Sequence, residues 1–478
     1  MASYGYQNTP KIARQGSRLM ELTPSFLELL GHFTPVFTEP TFQTFLQICS
    51  GWTLSHRHRF ITDVIFSGGN VDNGHWCRFH RFFSDAVWDI DVLSMYLALL
   101  VARILSPTGT LLFAVDDTLC RKRGLTIYGT GMHHDPLISS RAKPLVSWGH
   151  DWVVLCILIV HPFWAPTKVF ALPVAFRLYR NRQGLTKGKK KTNAKKAKKT
   201  KPPADHRTRP QLAIELISLA ATWFPERDLL VLGDSAYGGK SVLSKLPAKV
   251  HLISHVHCKG ALYAPPPPPS SDKKSPGRPR KKGERLPGMS DWANDETQPW
   301  QKLKFDQFGL HATLEVKTQQ ALYYKSGGSR LLTIVLTRDT IGKRPMQMFY
   351  CTNLQWDVRQ ILSAYAGRWA IECTFENCKQ FLGLEDPANR VRLAVKRTAP
   401  MALFLYSMMV VWFHQVGHAL VQFPHRPWYP QKQEPSFADI LSTLRRVSYE
   451  ENSALPPEKQ TPDKTWLTRI IELLSRTG

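Results

Sequence analysis

The chain has 478 residues, a formal net charge of +26 and 43% hydrophobic residues, which exclude a disordered polymer and allow two or three domains with cores of their own. A pI near 9.8 points to a polyanionic partner. The longest strongly apolar run, MALFLYSMMVVWF at 401–413, falls short of the ~18 residues a membrane span needs and reads as a buried helix.

The N-terminal stretch MASYGYQNTPKIARQGSR lacks the apolar region of a signal peptide. The eight cysteines form no CxxC pair. Both features suit free thiols in a reducing cytoplasm.

Residues 1–108 read as a helical domain that binds or positions DNA. LTPSFLELLGHF and DVLSMYLALLVARIL carry helical apolar spacing. Between them, a stretch rich in His, Arg and aromatics offers an alternative, a zinc site at His75, Cys77 and His80, although the spacing matches no common finger.

From 109 to 257 strands dominate. LLFAVDD ends in Asp116 and Asp117, and DLLVLGD ends in Asp234. Each reads as a short buried strand with an acid at its C-terminal end, the edge where open α/β sheets place ligands. VSWGHDWVVLCILIV and KVFALPVAFRLYR are two further strands, QLAIELISLAATW a helix and HLISHV the next strand. The stretch 187–201 holds nine Lys and no acid, and reads as a solvated basic loop that either contacts phosphates or acts as a tether. Removing nine charges from +26 leaves +17, so the remainder is still basic.

Residues 258–355 begin with a Pro-rich basic linker at 264–288 and continue as alternating strands. Within the linker, Gly277-Arg278-Pro279-Arg280 resembles the core of an AT-hook, in which Arg278 and Arg280 would enter an A·T minor groove. Residues 356–420 return to helix. Residues 421–478 hold two expected helices, FADILSTLRRV and TWLTRIIELLSR.

The segment YAGRWAIECTFENCK carries Tyr365, Arg368, Glu372 and Lys379 at gaps of 3, 4 and 7. At about 100° per residue they share one stripe of a continuous helix. One carboxylate, two cations and a phenol make a poor core face, and the plain alternative is a solvated face with i,i+4 ion pairs.

This spacing, Y-x2-R-x3-E-x6-K, resembles the DDE insertion-sequence transposases with the Y-R-E-K signature. The acidic motifs agree: an Asp before Thr118, and an Asp three residues before Tyr237. The resemblance implies an α/β, ribonuclease-H-like mixed-sheet core interrupted by a β-rich insertion, with helical regions at both ends. It implies cleavage of double-stranded DNA at terminal inverted repeats and strand transfer into target DNA, within a synaptic homodimer. Asp117, Asp234 and Glu372 would ligate two Mg²⁺ ions, with Mn²⁺ as a substitute. Tyr365, Arg368 and Lys379 would hold DNA phosphates. If hairpin ends form, Trp292 or Trp300 would stack a flipped base. Two alternatives stay open on the residues: Asp116 in place of Asp117, since neighbours on a strand face opposite ways, and Glu376 in place of Glu372. Two other functions share these features, an inactive DNA-binding derivative of a transposase and a ribonuclease-H-like nuclease without strand transfer.

Overall fold

In the computed structural model, residues 20–71, 73–140, 142–181, 206–267, 280–307, 310–341, 345–424, 426–428, 430–452, 471 and 474 are described. The lysine-rich stretch 187–201, Arg278 and most of the last expected helix lie outside them.

Five helices open the described chain: α1 (Pro24–Gly31), α2 (Glu39–Leu54), α3 (Ile61–Ser67), α4 (Cys77–Ser84) and α5 (Ile90–Leu105). Asp89 caps α5 by accepting from the N–H groups of Asp91 and Val92. Then come β1 (Leu111–Arg121), β2 (Gly131–His134), β3 (Val146–Val160), β4 (Val169–Tyr179), α6 (Arg209–Trp223), β5 (Leu229–Gly233), α7 (Lys240–Leu243) and β6 (Val250–His255). A capping box between Thr208 and Gln211 starts α6.

The order β4-β3-β1-β5-β6 sets β1 parallel to β5 and β5 parallel to β6, with β1–β3 and β3–β4 antiparallel. This mixed sheet with helices at both ends is ribonuclease-H-like, as the resemblance implies. Its central strands are apolar on both faces; all five residues of β5 are buried.

Residues 258–355 contribute α8 (Met289–Asn294), β7 (Gln301–Gln307), β8 (Leu310–Leu322), α9 (Tyr324–Gly327), β9 (Leu331–Asp339) and β10 (Gln347–Cys351). These strands pair antiparallel with one another. Through β10 against β6 they also extend the core sheet to ten strands.

The chain closes with α10 (Val358–Gly367), α11 (Ala370–Leu382), α12 (Arg392–Trp412), a π-turn at Phe413–Gly417, α13 (His418–Leu420) and α14 (Phe437–Asn452). Gly383 ends α11 in the left-handed conformation (φ 61°), and a Cβ there would collide with the Asp386 carboxylate. The N-terminal helices share one core with this C-terminal group. Phe33 packs edge-on against Phe404 at 5.0 Å, and the Trp52 indole donates to the Leu382 carbonyl at 2.9 Å.

Three local expectations change. β1 does not end at its aspartates: its ladder with β3 continues to Arg121, which places Asp116 and Asp117 inside the strand. The Tyr365–Lys379 stripe is divided between two helices. The chain tightens at Arg368 and Trp369 into i→i−3 hydrogen bonds, Arg368 N–H to Tyr365 O and Ile371 N–H to Arg368 O. The 401–413 run is the centre of a longer helix that includes Pro400 and extends to Leu420. That helix, Arg392–Leu420, is long and apolar enough to cross a membrane, but 83% of its most apolar stretch is buried within the fold.

Candidate active site

The last register pair between β1 and β5 is Val115 with Gly233. One further step brings Asp116 beside Asp234, because parallel neighbours in register face the same way. Asp234 stands in a turn, its carboxylate accepting from the N–H groups of Ala236 (2.8 Å) and Tyr237 (3.3 Å). The α10–α11 junction supplies the other groups. Arg368 donates to Asp116 Oδ2 at 3.0 Å and to Glu372 Oε1 at 2.9 Å, and its guanidinium lies 5.7 Å from the centre of the Tyr365 ring. His255, at the end of β6, packs edge-on against Tyr365 with ring centres 5.0 Å apart.

Burial pushes the Asp116 carboxyl up to about 7. Arg368 opposes that shift, while Asp117 and Asp234 add to it. Burial likewise raises the Tyr365 phenol to about 12. His255 is pushed below its ordinary value by burial and then by Arg368.

Asp117 projects to the opposite face. It accepts from the buried Tyr237 hydroxyl at 2.5 Å and pairs with Arg209 at 3.2 Å. Arg209, in the first turn of α6, also binds Asp151 at 2.6 Å, and His133 lies 3.5 Å from that same carboxylate. Burial raises the Asp151 carboxyl, with the Asp117 charge acting in the same direction.

The remaining expected residues lie further off. Half-buried Lys379 is two helical turns beyond Glu372, where its charge acts on the buried Cys120 thiol. Glu376 is exposed on α11. Trp292 is 1% exposed and spends its indole N–H on Gln298, whereas half-buried Trp300 carries the Arg338 guanidinium 4.2 Å from its ring centre. Arg280 is exposed in the linker.

Among the described residues no three His, Cys, Asp or Glu side chains converge as a metal site. This covers His75, Cys77 and His80 as well as the acidic cluster. In that cluster the Arg368 guanidinium occupies the space between Asp116 and Glu372. A cation is therefore already favoured there, and the surrounding donors are hard carboxylate oxygens of the kind Mg²⁺ selects.

Sequence reasoning missed Asp151, Arg209 and His255. Signals were present for two of the three, an Asp at the head of the apolar run WVVLCILIV and a His at the same sheet edge as Asp234; Arg209 had none.

An acidic cluster beside the central parallel strands of a ribonuclease-H-like sheet defines a class of nucleic-acid-processing enzymes. A family model described as DDE superfamily endonuclease matches residues 32–326, and the chain belongs to that family. The match takes in Asp116, Asp117 and Asp234 and ends before Tyr365. The family is of endonuclease type, acts on DNA and generally uses divalent metal ions. No curated protein matches the chain.

Proposed function

We propose that the chain is a transposase that cleaves double-stranded DNA at the terminal inverted repeats of a mobile element and joins the ends to target DNA. The observation that carries this reading is the set of Asp116 on β1, Asp234 in the turn after β5, and Glu372 on α11. Arg368 bridges two of these acids. Asp116 replaces Asp117 in this reading, because it shares a face with Asp234 and Arg368 whereas Asp117 is engaged behind the sheet.

The three carboxylates would hold two Mg²⁺ ions, or Mn²⁺ in their place. When bound, such ions supply activation of the attacking oxygen and stabilisation of the leaving one. The protein's own groups bind and orient. Arg368 exchanges its carboxylate partners for a DNA phosphate, which its planar fork can grip with two hydrogen bonds. Tyr365, braced by His255 and Phe349, holds the position of Arg368. Lys379 adds a point charge further along the duplex. If the ends pass through hairpins, Trp300 is the better stacking candidate, since Trp292 is enclosed. The reading includes a synaptic homodimer and a place of action in the cytoplasm, on the nucleoid.

A plasmid carrying the DNA that flanks the gene tests it. Purified chain with Mg²⁺ should release a discrete fragment and insert it into a second plasmid. Cleavage without insertion would favour a nuclease, and binding without cleavage an inactive DNA-binding derivative.

A further inference from the structure

Two cavities, of about 450 and 390 Å³, meet around the C-terminal end of β4 and share Tyr128, Arg180 and Arg392 in their walls. Arg390 lines the first, and Arg207 and Lys396 line the second. The walls draw on β4, the start of α12, and the segment leading into α6. From this arrangement we infer that the groove binds the sugar-phosphate backbone of duplex DNA away from the acidic cluster. The inference rests on the DNA-processing reading above and adds a surface to it.

The charge balance is one-sided. The acids lining the two cavities are Asp91 and Glu215, and both are held by Arg177, at 2.7 and 2.6 Å. Lys396 sits amid Arg392, Arg177 and Arg180; burial first, and then their repulsion, lowers its proton affinity. A like-charge cluster of this kind is stabilised by an anion. The wall also holds an unused donor. Trp152 is 2% exposed, lines the smaller cavity, and its indole N–H has no acceptor among the described residues. Buried donors are ordinarily paired, and one this enclosed would reach the DNA backbone only through a bridging water. The N-terminus of α12, a 21-residue helix with no side-chain cap and no acid in its first turn, opens between Val391 and Arg392 at the same groove.

Length and position favour a polymer over a small anion. Asn181 and His206 both line the groove, and they are the described residues on either side of the stretch containing the nine-lysine run. In sheet order β4 is two strands from β1, about 10 Å across the sheet. A duplex carries one negative charge per ~1.7 Å of axis, so one molecule can engage both regions.

The test measures binding of a fluorescent duplex to the full chain between 50 and roughly 300 mM salt. Arg390→Ala/Arg392→Ala removes two exposed cations; Lys396→Gln is the second variant, and Lys245→Ala, at an exposed site elsewhere, is the control. The double variant should bind about 10-fold more weakly, and its log–log salt slope should fall by about 2. Arg392→Lys should restore most of the affinity. Unchanged binding and slope in folded double and Lys396→Gln variants would overturn the surface while leaving the DNA reading intact. A wild-type chain that binds no duplex would overturn both. Loss confined to anionic phospholipid vesicles, with duplex binding unchanged, would overturn the assignment of the ligand.

Discussion

Asp116 and Asp117 are consecutive on β1 yet belong to opposite faces of the sheet, the first bonded to Arg368 and the second to Tyr237. The two faces nevertheless communicate. The Asp117 N–H donates to Asp116 Oδ1 at 2.8 Å, and Tyr237, which reaches Asp117, also donates its own N–H to Asp234. The rear pair therefore helps to set the position of both front carboxylates.

Asp116→Asn should lower cleavage by about 10³-fold or more, the loss of several kcal/mol of charge stabilisation. Asp117→Asn should cost about 10-fold, because the amide still accepts from Tyr237. Steady-state cleavage of a labelled duplex separates the two. The opposite ranking would return the metal-ligand role to Asp117.

Glu372→Gln should abolish cleavage while leaving duplex affinity within a few-fold, since DNA is held by cations. Glu376→Gln should keep most activity, its carboxylate being exposed and outside the Arg368 bridge. Parallel cleavage and binding assays check both.

The buried imidazoles predict acid sensitivity. Burial lowers His133 and His150 to about 4, from an ordinary 6.5. Their folded-state values are depressed, so the stability they contribute is complete above about pH 6.5 and is lost as pH falls toward 4. Together they are worth on the order of a few kcal/mol. Asp116 and Asp151, whose carboxyls burial raises, act in the opposite sense over the same window, so the histidine contribution is read as a difference between variants. His150→Asn should gain urea stability relative to wild type as pH falls from 6.5 toward 4, provided the amide keeps a bond to the Tyr128 carbonyl that the ring now makes at 2.8 Å.

Phe404 joins the N-terminal helices to α12 through Phe33 and Phe45, at 5.0 and 5.6 Å. Phe404→Ala should cost about 3–5 kcal/mol in urea unfolding. Because the core is shared, residues 20–105 and the later core should melt together.

The parallel core strands were legible because they are apolar runs bounded by polar residues, and the approach of Tyr365, Arg368 and Glu372 to one another was legible in their gaps of three and four. The length of β1 was not. Asp116 and Asp117 look like a strand end in sequence, and only the ladder from β3 to Arg121 shows otherwise. The same ladder decides which Asp faces Arg368, a matter of register that no local pattern encodes. The break at Arg368 was hidden because Arg368 and Trp369 keep helical dihedrals while their hydrogen bonds shorten to i→i−3. Asp151 and Arg209 are 58 residues apart, and their pairing depends on how α6 crosses the sheet.

The most direct test replaces Mg²⁺ with Fe²⁺ on the DNA-bound chain and adds peroxide, so that radicals formed at the metal cut the nearby backbone. Cuts clustered at residues near 116, 234 and 372, absent in Asp116→Asn and suppressed by excess Mg²⁺, are the predicted result. Cuts elsewhere, or an unchanged pattern in Asp116→Asn, would contradict the assignment of these three carboxylates as the metal-holding centre.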